Sequence, residues 1–78
     1  MAKEIEDFYL RLPIRLGQFL KLANLAENGA HARELIQDGV VEVNGEVETR
    51  RSHELKDGDV ITLDDGYNAA VSIRVREE

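Results

Sequence analysis

Hydrophobic and polar positions along the chain change period several times, and each change marks an element. Phe8, Leu10 and Leu12 alternate with Tyr9 and Arg11 until Pro13, the period-two signature of a short strand over 8–12. Pro13 holds Leu12 in the extended region, so the strand is expected to end just before a helix that begins near Ile14 or Arg15. There the period lengthens. Leu16, Phe19, Leu20, Ala23 and Ala26 recur at helical spacing, Leu22 and Leu25 widen the apolar side, and Arg15, Gln18 and Lys21 share another face, which predicts a first amphipathic helix. Asn28-Gly29 is expected to break it, since both residues accept the left-handed backbone that ends helices, and Asn28 can cap the next one. The second helix is predicted from about Ala30 to Asp38, with Ala32, Leu35 and Ile36 inward and His31, Arg33, Glu34 and Gln37 covering the rest.

Gly39 stops this helix, and Val41 and Val43 then alternate with Glu42 as a half-buried strand. Asn44-Gly45 is a strong hairpin signal because a type I′ turn needs positive φ at both central positions. The returning strand is expected over 46–49, with Glu46 and Glu48 outward, followed by the polar loop Arg50-Arg51-Ser52-His53. Beyond Leu55, the turn Lys56-Asp57-Gly58-Asp59 leads into the β-branched run 60–63, and a second turn over 64–68 leads into a last strand over roughly 69–75, in which Val71, Ile73 and Val75 alternate with Ser72, Arg74 and Arg76. These elements describe an α+β domain: two short packed helices, then a β-hairpin, with further strands forming a small, mainly antiparallel sheet.

Composition narrows the function classes. Seventy-eight residues are expected to make one domain, and a chain of that size buries only ~60% of its unfolded surface. There is no cysteine, which removes disulfides and thiolate chemistry. No apolar run approaches the roughly 20 residues of a membrane span, and the first residues are charged where a secretion signal has an apolar core, so a soluble cytoplasmic protein is expected. The formal charge of −6 is unevenly spread. Residues 1–14 carry −1, residues 15–56 carry −1 from six basic and seven acidic groups, and residues 57–78 carry −4. Basic surface must therefore be made by segregation on the middle segment.

The constellations of catalysis are thin. Ser52 and Ser72 lack a nucleophile-elbow setting, His31 and His53 have no metal-ligand spacing, and Gly39 and Gly45 punctuate secondary structure without forming a phosphate loop. No enzymatic activity, cofactor, metal or small-molecule substrate is expected. What remains is a binding module whose character rests on Arg15, Lys21, Arg33, Arg50, Arg51 and Lys56. Either they line one face, or they are scattered solubilising charges.

Ile14-Arg15-Leu16, Phe19-Leu20-Lys21, Ala32-Arg33-Glu34-Leu35-Ile36, Gly39, Val41-Glu42-Val43-Asn44-Gly45 and Gly58-Asp59 together resemble the alpha-L RNA-binding motif, the domain named after small-subunit ribosomal protein S-four. The resemblance covers about residues 15–63, and segments 16–23 and 45–51 are similar to small stand-alone bacterial members of that family. It implies a non-catalytic module that binds structured RNA, ribosomal RNA or tRNA, with the ribosome as a candidate partner and translation as the setting. Carried over residue by residue, it implies an RNA face made by Arg15, Lys21, His31 and Arg33, with Asn44 and Gly45 shaping the hairpin and Arg50, Arg51, His53 and Lys56 extending the surface. Stem-loop RNA is read through phosphates and 2′-hydroxyls, work that suits the planar donor fork of arginine. Gly17, Gly29-Ala30 and Glu42 depart from residues common in the family, and the resemblance then implies weaker or narrower binding, or dependence on a partner.

Two other readings compete. The acidic residues after Asp57 permit a protein-binding adaptor that uses the sheet. The pattern from Val43 to Val47 with residues 55–61 also resembles small β-grasp sulfur carriers, although their mechanism uses a Gly-Gly terminus and this sequence ends Arg76-Glu77-Glu78.

Overall fold

The computed structural model describes residues 5–67 and 69–78. Strand β1 (Ile5–Leu10) leads to a two-residue β2 (Ile14–Arg15), helices α1 (Leu16–Leu22) and α2 (Gly29–Gln37), and the hairpin of β3 (Val41–Val43) and β4 (Glu46–Val47). Three strands complete the chain: β5 (Glu54–Leu55), β6 (Val60–Leu63) and β7 (Val71–Glu77). The fold is α+β, with the two helices and the hairpin in the predicted order.

Five strands form one sheet in the order β1-β7-β6-β3-β4, antiparallel except for the parallel β1–β7 pair. Its register sets Val43 opposite Ile61, Ile61 opposite Ile73, and Phe8 opposite Val75, so alternate residues of four strands make a single apolar face. The helices cover it. Leu16, Phe19, Leu20, Ala32 and Ile36 are buried in the same cluster as Val41, Val43, Ile61, Ile73 and Val75. Phe19 lies edge-on to Phe8 with ring centroids 5.7 Å apart, the arrangement the ring quadrupoles favour.

Both helices end in the same way. Asn24 takes a positive φ of 60°, its N–H donates to the Lys21 carbonyl, and the Leu25 N–H donates to the Leu20 carbonyl, which is a Schellman termination. α1 therefore stops at Leu22, shorter than its apolar stripe suggested, because Asn24 supplies the left-handed residue before Asn28 does. Ala26 remains buried outside the helix, whereas Leu22, expected to widen the apolar side, is 52% exposed at the last turn, so the stripe overstated both helix length and the width of the buried face. Gly39, at φ 77°, repeats the arrangement at the end of α2, with its N–H on the Ile36 carbonyl. Asn28 caps α2 as expected: its side-chain oxygen accepts from the His31 N–H at 2.9 Å.

The strands differ from expectation at their ends. β1 stops at Leu10, since the Leu12 N–H leaves the ladder to donate to Glu77 Oε2 at 2.6 Å. Between Leu12 and α1 lie a cis Leu12–Pro13 peptide and β2. β7 is shifted toward the C-terminus, with Val71 exposed at its start and Ser72 buried against the Thr62 hydroxyl at 2.9 Å. The expected turn over 64–68 is described through Tyr67, and Asn68 lies outside the described residues, as do residues 1–4. No helix among the described residues is long and apolar enough to cross a membrane.

Candidate functional site

The loop after the hairpin is fastened to the start of α1 by contacts that sequence periodicity does not show. β2 pairs antiparallel with β5, Ile14 opposite Leu55 and Arg15 opposite Glu54. The Leu16 N–H donates to the His53 carbonyl at 2.8 Å and the Gly17 N–H to the Arg51 carbonyl at 3.0 Å. These bonds satisfy N–H groups of the first helical turn that have no partner within the helix. They also set Arg51 against the helix closely enough that a Cβ on Gly17 would lie 3.4 Å from that of Arg51.

The result is a concavity of about 230 Å³ lined by Arg15, Gln18, Lys21, Arg33, Arg51 and Ser52, floored by Gly17, Gly29 and Ala32. Four of its side chains are cationic and none is acidic. Each of the four is exposed, and among the described residues none stands in an ion pair. Cationic groups around one concavity with no carboxylate in its lining make a positive potential, which favours an anion such as phosphate or carboxylate. Its volume falls below the roughly 300 Å³ at which pockets begin to hold drug-sized molecules, and an open cradle of this size suits a phosphate with part of its sugar. Arg33, Arg51 and Ser52 also border a neighbouring depression of about 270 Å³ with Gln37, Thr49 and Arg50, which continues the surface toward the hairpin. Gln18 was not among the expected contacts, although it shares the face of Arg15 and Lys21; its Oε1 accepts from the Arg15 N–H at 3.3 Å.

The other expected contacts are placed elsewhere. His31 does not line the concavity, and its Nδ1 accepts from the Glu27 N–H at 3.0 Å, which puts the imidazole proton on Nε2 and makes the side chain a brace at the start of α2. Asn44 is a turn residue at φ 53°: its Nδ2 donates to Asp59 Oδ1 and its Oδ1 accepts from the Val60 N–H, both at 2.9 Å. Both ends of that amide are occupied. Lys56 and His53 line a second groove that also holds Glu46, Glu48, Glu54 and Asp59, where four carboxylates outweigh the basic groups. Arg50 borders both regions, and its guanidinium is held by Glu48 at 3.1 Å.

Glu48, expected to point outward into solvent, is instead largely covered, its side chain only 14% exposed. Hydrogen bonds from the Arg50 side chain and backbone, with the charges of Arg50 and His53 nearby, lower its pKa from 4.5 to about 2. Asp7 is likewise held below the usual carboxylate range by its hydrogen bond from Arg74, 2.6 Å away. The register puts Asp7 beside Arg74 on the sheet face turned from the helices, and Asp57 lies 3.6 Å from Arg76. That face therefore carries both signs. Among the described residues no cluster of His, Cys, Asp or Glu is placed to hold a metal ion.

Comparison with known proteins places the fold in context. The family model of the S4 domain matches residues 10–72, a span that extends beyond the expected 15–63 at both ends. The chain is similar to a probable ribosome maturation protein, RlbA, of Bacillus subtilis (strain 168), 41% identical over 51 residues that make up 65% of this chain and 72% of the relative. Its structure resembles that of heat shock protein 15 of Vibrio cholerae, described as a trimer, with a TM-score of 0.73 and 25% identity over 86% of this chain and 66% of that one. This chain thus spans just under two thirds of the Vibrio chain. It also resembles the solution structure of YbcJ from E. coli, described as revealing an alpha-L motif involved in RNA binding, with a TM-score of 0.61 and 28% identity over 95% and 92% of the two chains.

Proposed function

Because the chain belongs to the S4-domain family, we propose that it is a non-catalytic module that binds structured RNA in a ribosome-related process. The observation that carries this reading is the concavity with four cations and no carboxylate. An A-form helix or stem-loop presents phosphates and 2′-hydroxyls on its outside and hides its base edges in a deep, narrow groove. Arg15, Lys21, Arg33 and Arg51 take the phosphates, while the Gln18 amide and the Ser52 hydroxyl offer neutral partners for ribose. Although the domain's net charge is −6, its segregation orients the encounter, since the acid-lined groove is repelled from the RNA and the basic concavity is drawn to it.

Ribosomal RNA is the RNA we favour, supported by the ribosome maturation name of the Bacillus relative, and a cytoplasmic setting follows from that assignment. Residues 1–78 are proposed to act as one module, with the helix pair and the 48–53 loop as its RNA face. In-cell crosslinking followed by sequencing of bound RNA tests the reading, with the Lys21→Ala, Arg33→Ala, Arg51→Ala triple variant as control. Enrichment of a helical region of ribosomal RNA that disappears in the variant is expected. Equal recovery from both proteins would overturn it.

A further inference from the structure

One carboxylate lies at the centre of the loop that completes the basic concavity. Glu48 Oε2 accepts from the Arg50 N–H at 3.0 Å and Nε at 3.1 Å, while Oε1 accepts from Nη2 at 3.1 Å and lies 3.1 Å from His53 Nδ1. Its own N–H donates to the Val41 carbonyl at 3.0 Å, which anchors the residue to β3, and the His53 N–H closes on the Arg50 carbonyl at 3.2 Å. The chain therefore wraps around this side chain from 48 to 53. The outward-facing carbonyls of the wrap, those of Arg51 and His53, are the ones that receive the first N–H groups of α1.

We infer that Glu48 is a positioning residue of the RNA site, its carboxylate holding the 48–53 loop in the shape that seats Arg51 among Arg15, Lys21 and Arg33. The inference rests on the RNA reading above and inverts the expectation from charge alone. Removing an acid near a phosphate-binding surface ordinarily strengthens binding. Removing this one releases the loop, and Arg51 leaves the cradle. Glu46 provides the contrast: it lies in the same acid-lined groove, is exposed, and has no comparable set of donors among the described residues.

The test compares Glu48→Gln, Glu48→Asp, Glu46→Gln and Arg33→Ala with the parent for binding to a labelled hairpin of ribosomal RNA and to purified tRNA across a salt series. Glu46→Gln is expected to bind as tightly as the parent or more tightly. Glu48→Gln is expected to lose about fivefold at physiological salt and to reduce the salt slope by ~0.8, the loss of one phosphate contact. Glu48→Asp keeps the charge but withdraws the carboxylate by one methylene, and is expected to lose affinity as well. It carries the comparison if Glu48→Gln melts. A merely structural role would lower the folded fraction equally at all salt concentrations and leave the slope unchanged. Glu48→Gln binding as Glu46→Gln does, or an unchanged slope, overturns the positioning role alone. Absence of binding by the parent, or indifference to Arg33→Ala, overturns the RNA reading and this inference with it.

Discussion

Arg51 and Lys56 were both candidates in sequence, each a basic residue in the stretch after the hairpin, and the structure separates them. Arg51 lines the acid-free concavity, whereas Lys56 faces a groove shared with Glu46, Glu48, Glu54 and Asp59. Replacing either by alanine removes the same charge, so a difference between them reports position. A phosphate contact contributes ~0.7–0.9 to the slope of log affinity against log salt. Four such contacts from the concavity give a parent slope of about −3. Arg51→Ala should reduce its magnitude by ~0.8, which amounts to about fivefold weaker binding at about 0.15 M salt and about tenfold at about 0.05 M. Lys56→Ala should leave the slope where it was. Fluorescence anisotropy of a labelled RNA hairpin over a potassium chloride series measures both. Equal losses of slope in the two variants would show that the basic groups act as diffuse charge, and the concavity would lose its standing as the site.

Three further outcomes follow from the geometry. Asn44→Ala removes the bonds to Asp59 and Val60 and puts a Cβ-bearing residue without a local polar partner at φ 53°; urea unfolding should show a loss of ~2–3 kcal/mol, with RNA affinity of the folded fraction unchanged if Asn44 is a turn residue and not a contact. Phe19→Ala empties a fully buried position against Phe8, and at ~3–5 kcal/mol it should consume much of the ~4–12 kcal/mol that a domain of this size has, visible as a large fall in melting temperature. Because folding depresses the Glu48 pKa from 4.5 to about 2, its contribution to stability is complete above about 4.5 and is lost as pH falls toward about 2. Asp7, also lowered, adds to the same acid limb. Urea midpoints measured through that window should fall more steeply for the parent than for Glu48→Gln, and parallel curves would refute the assignment.

The sequence by itself determined the two helices, the hairpin and their order, but not the short strands at Ile14–Arg15 and Glu54–Leu55, the first of which it assigned to the start of a helix. The Asn28 cap, Gly39 as a helix stop and Asn44-Gly45 as a hairpin turn are local devices, each acting through the φ preference or hydrogen-bonding reach of one or two residues, and each is where the sequence indicated, whereas the helical spacing from Leu16 ran on to Ala26 past the stop that Asn24 makes. The apolar stripe named a core residue correctly even at Ala26, where it misjudged the helix, and failed at Leu22, which is exposed. What only the tertiary structure decided are the relations between residues distant in sequence. The parallel pairing of β1 with β7, the join of Ile14 and Arg15 to Glu54 and Leu55, and the seating of Arg51 beside the first turn of α1 depend on long-range backbone hydrogen bonds. Such bonds use N–H and C=O groups that nearly every residue possesses, so they leave no mark on composition or period. The same limit applies to charge. A list of basic residues cannot tell Arg51, left without a carboxylate, from Arg50, held by Glu48, or from Lys56 in its acidic groove, because pairing is a matter of which side chains the fold brings within a few ångströms.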